Sequence, residues 1–248
     1  RGSGMRRLVR AGRRVWRGGS ARFATGCATL LLAAALTVAG CSSGTTIPSA
    51  ATLLNNARDT FNKTQSFHFV LTATHLGPND ALPITSATGD VARPDRLRAT
   101  ANTSVSGFAL TVKLIVVGQQ AWLDPGFGSY QPNNQYASFL TIFDPTQGVG
   151  AALAQMQQPS TPQDSNANGT ACWKISGKID TTAVSAVVNG NVVSGQTVPA
   201  TVCIGKTDNE LDSVTLTGAI TTTDTAQTVR TFVLSQFNQP VTIQAPAS

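Results

Sequence analysis

The side chains that could carry catalysis or hold a metal are few in this chain. Its 248 residues include four cysteines and two histidines, and no H-E-x-x-H, Walker A, G-x-G-x-x-G or C-x-x-C spacing occurs. His68 alternates onto the more polar face of a strand-like segment, and His75 precedes a Gly-Pro loop, so both are interpreted as exposed strand or turn residues. Asp208, Glu210 and Asp212 surround a predicted turn and are expected to be solvated. With little capacity for general acid–base catalysis, we expect no enzyme, no cofactor and no metal.

The N-terminal segment has the order of an export signal. Seven arginines lie between Arg6 and Arg22, no acid precedes Asp59, and the uncharged stretch 23–40 has the apolar centre "ATLLLAAALTVAG". This centre is shorter than the ~20 apolar residues of a spanning helix, although a single N-terminal anchor helix is the alternative. The tetrapeptide "VAGC" resembles the bacterial lipobox, which implies a diacylglycerol thioether on Cys41 and cleavage before it. We therefore expect a cleaved lipoprotein signal peptide over 1–40, lipidated Cys41 with a short tether over 41–48, and one domain over 49–248.

Residues 40–44, "GCSSG", also match the G-x-S-x-G nucleophile elbow literally. That elbow requires a strand, a sharp turn and a helix within a folded domain. Here the match follows the apolar leader, and cleavage before Cys41 would remove its first glycine. We interpret it as a coincidence.

The basic charge of the chain belongs to the leader. The leader holds eight of the eighteen Lys and Arg residues and none of the twelve acids, so the part from Cys41 has ten basic and twelve acidic residues and a net charge of −2. No basic stripe with interleaved aromatic residues remains, which argues against a nucleic-acid binder.

Two cysteines remain in the expected mature chain once Cys27 leaves with the signal and Cys41 takes lipid. Cys172 and Cys203 lie in strand-like segments, and alternation places both on the more polar face. In an exported protein a disulfide between them would persist and would stabilise the fold by about 3–4 kcal/mol. Two reduced, buried thiols are the alternative.

The domain alternates in hydrophobicity over most of its length. One helix is predicted at its start, capped by Ser49. A second is predicted from Asp144 and Pro145 through "VGAALAQMQQ", before a polar loop to Gly169, and a third over "DTTAVSAVVNG". The predicted strands lie in "SFHFVLTATHL", "LPITSATGDVARP", "DRLRATANTS", "SGFALTVKLIVVGQQAWL", "TACWKISGKI", "TVPATVCIGK", "ELDSVTLTGAI", "AQTVRTFVLSQF" and "QPVTIQAP". Runs of strands with few helices predict an α+β domain whose antiparallel sheet has one face covered by helices.

Several segments, in order along nearly the whole chain, carry a family resemblance. They are "VAGC", "SFHFVLT", "GDVARP", "VKLIVVGQQAWL", "FDPTQGVGAALAQM", "ACWKISGKI", "VPATVCI" and "FNQPVTIQAP". With these segments in this order, the chain resembles the mycobacterial LppX/LprA/LprF/LprG lipoprotein family. That family is similar in architecture to the LolA/LolB-like lipid carriers. The resemblance implies a strongly bent antiparallel half-barrel, with helices packed in its concave face around an apolar cavity.

The resemblance also implies a function and a location. Such proteins are anchored to the cell membrane, periplasmic or outward-facing, and carry acylated lipids or glycolipids across the cell envelope, in some cases beside a membrane transporter. Two other interpretations stay open. One is a surface lipoprotein that tethers or assists an envelope assembly without cargo, and the other is a lipid-modifying hydrolase.

Carried over position by position, the resemblance predicts a lipid-binding wall formed by alternate residues of three strands. We expect it to comprise Phe69, Leu71, Leu97, Ala99, Ala101, Phe108, Leu110, Val112 and Leu114. The small side chains of Ala99 and Ala101 would leave room for an acyl chain. Arg96 and Arg98 are placed near the mouth, where they would meet a phosphate headgroup or form a solvated basic edge.

Overall fold

The computed structural model describes residues 47–78, 83–105, 107–144, 146–167, 169–187 and 191–247. It contains two α-helices, α1 (Ala50–Lys63) and α2 (Val149–Ala154), and two 3₁₀ helices, Asn134–Phe143 and Thr181–Val187. The strands are β1 (Ser66–Thr74), β2 (Ile84–Ala92), β3 (Arg96–Val105), β4 (Phe108–Val117), β5 (Gln120–Asp124), β6 (Gln131–Pro132), β7 (Gln163–Ala167), β8 (Thr170–Asp180), β9 (Thr197–Gly205), β10 (Leu211–Thr217) and β11 (Val229–Ser235). The predicted leader, Cys41 and the first residues of the tether lie outside the described residues.

The strands form one antiparallel sheet in the order β6-β5-β4-β3-β2-β1-β11-β10-β9-β8-β7. The chain meanders outward from β1 to β6, reaches the opposite edge at β7, and meanders back until β11 pairs with β1. Within this central pair Phe69 lies opposite Leu234, and β2 places Gly89 on the other side of Phe69. The sheet stays open, with β6 and β7 as its outer strands. The predicted α+β fold with an antiparallel sheet is confirmed.

The topology puts the helices on one face of the sheet. The segment between β6 and β7 must pass from one edge to the other, and it contains the first 3₁₀ helix and α2. This 3₁₀ helix contacts β4 and β5, whereas α1 contacts β9, β10 and α2. Inward residues of both flanks, such as Leu97 of β3 and Ile175 of β8, join the helices in one hydrophobic core. The sheet therefore curves around its helices.

Helix α1 is an amphipathic helix with the predicted cap. The Ser49 hydroxyl accepts a hydrogen bond from the Thr52 backbone N–H at 3.1 Å. The side chains predicted to recur at helical spacing are all buried: Leu53, Leu54, Ala57 and Phe61. Burial of one such side chain contributes roughly 1.5–3 kcal/mol, so this face fixes the helix on the sheet.

The second predicted helix begins later than expected. Asp144 ends the first 3₁₀ helix, and its carboxylate accepts the Thr146 backbone N–H at 2.7 Å. Helix α2 begins at Val149, with Gly148 as its N-cap. A Cβ atom on Gly148 would lie 2.1 Å from the Ile142 carbonyl oxygen, so a glycine is required where the two helices meet. The aspartate therefore forms a turn between the helices and does not start one.

Three other sequence predictions were wrong or incomplete. The first 3₁₀ helix was not predicted, and β7 lies in the expected polar loop. The segment "QPVTIQAP" was predicted as a strand, but no strand occurs within 236–247. It follows β11, whose two neighbours in the sheet are already β1 and β10. The segment is held in another way: the Ile243 side chain is buried, and the Ile243 carbonyl oxygen accepts a 2.6 Å hydrogen bond from the Arg96 guanidinium.

Cys172 of β8 and Cys203 of β9 are joined by a disulfide with a Cα–Cα distance of 5.5 Å. Alternation assigned them to the face of Ser176 and Thr201, and these two hydroxyl oxygens lie 3.1 Å apart. Both cysteines are nevertheless buried. The bridge ties two neighbouring strands on the face away from the helices.

Candidate functional site

A cavity of about 280 Å³ lies between the sheet and the first 3₁₀ helix. Its floor comes from β1 to β5 and β11, and its roof from the 3₁₀ helix. Carbon dominates the wall, and Thr103, Tyr136 and Arg230 are its only side chains with polar atoms among the described residues. The wall comprises Phe69, Leu71, Ala73, Leu76, Ile84, Ala87, Leu97, Ala99, Ala101, Thr103, Val105, Leu110, Val112, Leu114, Leu123, Pro125, Tyr136, Phe139, Ile142, Phe143, Arg230 and Phe232.

The hollow exists because two adjacent strands carry only small residues at the middle of their inner face. Ala87 of β2 pairs with Ala101 of β3, and Gly89 pairs with Ala99. A Cβ atom on Gly89 would lie 2.3 Å from the Arg98 carbonyl oxygen, so that position admits no larger residue without backbone movement. Two successive inward positions on each strand therefore end in a methyl group or a hydrogen. The Phe69 ring packs against Gly89, and the space above Ala87, Ala99 and Ala101 belongs to the cavity.

The roof uses the three-residue repeat of a 3₁₀ helix. Residues three apart lie on one face of such a helix, and Tyr136, Phe139 and Ile142 all line the cavity. The Tyr136 and Phe139 rings stack with their centroids 5.8 Å apart. Runs of 3₁₀ helix longer than three or four residues are uncommon, so this ten-residue run is held by its apolar contacts with the floor.

An aromatic cluster closes one end of the cavity. The Phe143 ring lies 5.2 Å from Phe67 and 5.1 Å from Phe69, measured between centroids. The Arg93 guanidinium stacks on Phe61 at 4.5 Å and donates 2.9 Å hydrogen bonds to the carbonyl oxygens of Thr64 and Phe143. Burial lowers the pKa of Arg93, against the attraction of nearby Asp144. This arginine joins α1 to the end of the roof.

The opposite end is open and carries exposed apolar side chains. Phe108 is 75% exposed and Phe127 is 83% exposed, while Val105 is 42% exposed and also lines the cavity. The loop that presents Phe127 is ordered by buried Asp124, whose carboxylate accepts three backbone N–H groups at 2.9–3.0 Å. The hydrogen bonds to Asp124 therefore fix the loop that carries Phe127.

The structure brings together eight of the nine predicted wall residues: Phe69, Leu71, Leu97, Ala99, Ala101, Leu110, Val112 and Leu114. Phe108 is not in the wall. It is the first residue of β4, beside the β3–β4 turn, and its side chain is exposed.

The expected position of the two arginines near the mouth is wrong. Arg96 and Arg98 alternate with the inward Leu97, so they lie on the outer face, and Arg96 pairs with Val117 at the closed end. Arg98 forms a 2.6 Å ion pair with Asp90.

His68 accompanies them on the outer face and is half-buried, not exposed as predicted. It lies 2.8 Å from Asp90 and 3.1 Å from the Thr88 hydroxyl. Burial raises the pKa of Asp90, but hydrogen bonds from His68 and Arg98 outweigh it and leave the pKa below its usual value. This polar cluster faces away from the cavity.

Sequence reasoning missed Arg230, the one charged side chain among the described residues of the wall. Arg230 alternates with Phe232 and Leu234 along β11 and is therefore inward, and its side chain is 10% exposed. Asp224, 1% exposed, accepts two hydrogen bonds from it at 2.8 and 2.7 Å. Burial raises the pKa of Asp224, but Arg230 and two backbone N–H groups hold it below its usual value. The strict alternation in "TVRTFVLS" was the sequence signal that could have placed Arg230 on the inner face.

Asp212 was expected to be solvated and is buried instead. It is 8% exposed, and one carboxylate oxygen has no hydrogen-bond partner among the described residues. Burial, with added repulsion from Asp208 and Glu210, raises the pKa of Asp212 to about 7. It lies on β10, away from the cavity wall.

Two kinds of feature are absent from the described part of the chain. No group of three or more His, Cys, Asp or Glu side chains there is arranged to hold a metal ion. No helix there has the length and apolarity to cross a bilayer.

The comparisons with known sequences all point to one protein family. The sequence model of the LppX_LprAFG lipoprotein family matches residues 49–243. LprG of Mycolicibacterium smegmatis, named a lipoarabinomannan carrier protein, is 26% identical over 235 residues, 88% of this chain and 94% of that protein. LprF of Mycobacterium tuberculosis, whose name gives it as a candidate diacylated glycolipid transporter, is 26% identical over 250 residues, 90% of this chain and 92% of that protein.

Solved structures share the fold. The crystal structure of LprF from Mycobacterium bovis aligns with a TM-score of 0.64 at 24% identity, over 80% of this chain and 97% of that one. Mycobacterium tuberculosis LppX aligns with a TM-score of 0.56 at 20% identity, over 79% and 98%. The family model covers nearly the whole described domain, and the open antiparallel sheet is that of these two proteins. The chain belongs to the LppX_LprAFG lipoprotein family.

Proposed function

We propose that this protein is a membrane-anchored, non-enzymatic carrier that binds acylated lipids or glycolipids in the cavity and moves them across the cell envelope. The observation that carries the proposal is the apolar cavity of about 280 Å³, whose floor includes Ala87, Ala99 and Ala101. Relatives named as carriers of lipoglycan or glycolipid support it at the level of the family.

The binding mechanism is desolvation of the acyl chain. Each methylene moved from water into an apolar site contributes about 0.8 kcal/mol. An engineered cavity of ~150 Å³ holds one benzene ring, so about 280 Å³ holds roughly a dozen carbon atoms. Longer or additional chains would extend through the open end, where Val105, Phe108 and Phe127 offer further apolar surface.

The proposed carrier is anchored in the membrane through Cys41 and takes up lipid through the open end of its cavity. Acylated Cys41 would hold the protein at the cell membrane, since two or three acyl chains anchor far more firmly than one. The tether from Cys41 to Pro48 spans at most ~25 Å, which keeps the cavity close to the bilayer. The open rim would then receive the lipid, and a membrane transporter is a candidate partner.

Lipid loading of a blocked cavity tests the proposal. Ala101→Trp places an indole, larger than benzene, in the middle of the floor and takes more than half of the available volume. Ala109→Trp is the matched control, because Ala109 is exposed on the adjacent β4. Both variants would be purified from membranes, extracted with organic solvent, and the extract analysed by mass spectrometry.

We expect wild type and Ala109→Trp to release a stoichiometric acylated lipid, and Ala101→Trp to release less than a tenth of it. Acyl chains covalently bound to Cys41 remain on the protein and do not enter the extract. Equal lipid release from folded Ala101→Trp would refute the cavity as the binding site. No lipid from any variant would favour the cargo-free tethering protein.

A further inference from the structure

The sheet side of the cavity wall is apolar except for Thr103 on β3 and Arg230 on β11. Thr103 is 4% exposed, and its hydroxyl oxygen has no hydrogen-bond partner among the described residues. A buried hydroxyl without a partner destabilises a fold. Such a group beside a cavity points to a partner that arrives with the ligand.

The two polar side chains lie toward the same end of the cavity. Arg230 pairs with Ala73 near the end of β1. Thr103 pairs with Ile84, the first residue of β2. These strand ends meet, because β1 and β2 are antiparallel neighbours. Val105, two residues beyond Thr103, is exposed at the rim, so both polar groups lie toward the open end.

The charge at this point is already balanced. Two N–H groups of Arg230 donate to Asp224, so the buried pair is neutral. A guanidinium has five N–H donors and no acceptor, and the threonine hydroxyl lacks a partner of its own. The wall therefore offers the Thr103 hydroxyl as a free donor and carries no net positive charge, which suits a neutral acceptor better than a phosphate.

We propose a subsite in which the Thr103 hydroxyl donates a hydrogen bond to the carbonyl oxygen of an acyl ester, where a ligand's tail joins its polar part. Arg230 lies three strands away on β11 and keeps its pairing with Asp224. This assignment rests on the proposed carrier function and deepens it. The tail would extend from the ester toward Phe69 and Phe143 at the closed end, and the polar part would leave through the rim. An ester carbonyl is an uncharged acceptor next to the hydrocarbon, as the position of the Thr103 hydroxyl requires.

Paired ligands that differ at one group test the subsite. Calorimetry with delipidated protein would compare 1-lauroylglycerol, an ester, with 1-O-dodecylglycerol, the ether of equal chain length without the carbonyl. We expect wild type to bind the ester about three- to tenfold more tightly, the value of one hydrogen bond. Thr103→Val, which replaces the hydroxyl by a methyl group, should reduce that preference to less than twofold, and Thr103→Ser should restore it.

The outcomes separate the subsite from the carrier function. Equal binding of ester and ether by wild type overturns the subsite and leaves the apolar cavity standing, whereas binding of neither ligand overturns the carrier function itself. Tighter binding of dodecyl phosphate than of the ester would make this an anion site and reject the proposal. Ligand-free Thr103→Val should melt at a higher temperature than wild type, because a buried donor without a partner is gone; a lower melting temperature counts against the unpaired hydroxyl.

Discussion

Replacing Asp212 by asparagine should make the protein more stable above neutral pH. The carboxyl group is 8% exposed on β10, with one oxygen unpaired among the described residues. Burial, reinforced by Asp208 and Glu210, raises its pKa from 3.8 to about 7. The folded state therefore holds a proton that the unfolded chain releases near pH 4.

The size of the effect follows from proton linkage. Between pH 4 and pH 7 the native state binds more protons at this site than the unfolded state, so the free energy of unfolding falls as pH rises. A shift from 3.8 to about 7 corresponds, at 1.36 kcal/mol per pH unit, to about 4 kcal/mol lost once pH exceeds 7. Asp212→Asn cannot ionise and avoids that loss.

Urea denaturation at pH 4.5, 6 and 8 measures the difference. We expect wild type and Asp212→Asn to differ by less than 1 kcal/mol at pH 4.5 and by about 2–4 kcal/mol, in favour of the variant, at pH 8. Glu210→Gln removes one neighbouring charge and leaves Asp212 ionisable, so it should recover only a minor part. Parallel pH profiles of wild type and Asp212→Asn would show that Asp212 ionises in the folded protein without cost, and would refute the reasoning.

Two further substitutions test the sheet. Gly89→Val should destabilise the fold by about 2–3 kcal/mol in thermal melts, because its Cβ would meet the Arg98 carbonyl oxygen at 2.3 Å; an unchanged melting temperature would contradict this. Replacing Cys172 and Cys203 together by serine opens a 31-residue separation and should cost about 3–4 kcal/mol, while lipid release stays at the wild-type level because the bridge lies on the other face. Loss of lipid from the folded double variant would be the contrary result.

The periodic elements could be predicted from the sequence because each has a single hydrophobic period. Leu53, Leu54, Ala57 and Phe61 follow the helical repeat, and the central strands alternate. The first 3₁₀ helix follows neither rule, since its inward residues recur every three positions. Asp144 before a proline is a good cap locally, but the tight approach of Gly148 to Ile142 decides where α2 begins.

The cavity required information that no single strand contains. Alternation identifies Ala99 and Ala101 as inward but does not distinguish a cavity from a packed core. The hollow also depends on Ala87 of β2 lying opposite Ala101, which is set by strand register. The position of Arg230 in the wall depends likewise on the pairing of β11 with β1, in which Arg230 lies opposite Ala73, 157 residues earlier in the chain (230 − 73 = 157). This long-range pairing could not be read from the sequence of β11 alone.

A crystal structure of the protein purified from its membranes, without an extraction step, tests the account most directly. We predict continuous electron density for an acyl chain between Ala101 on the floor and Phe139 on the roof, ending near Thr103. A cavity closed by the protein's own side chains, with the Phe139 ring packed onto Ala101 and no ligand density, would contradict the carrier function.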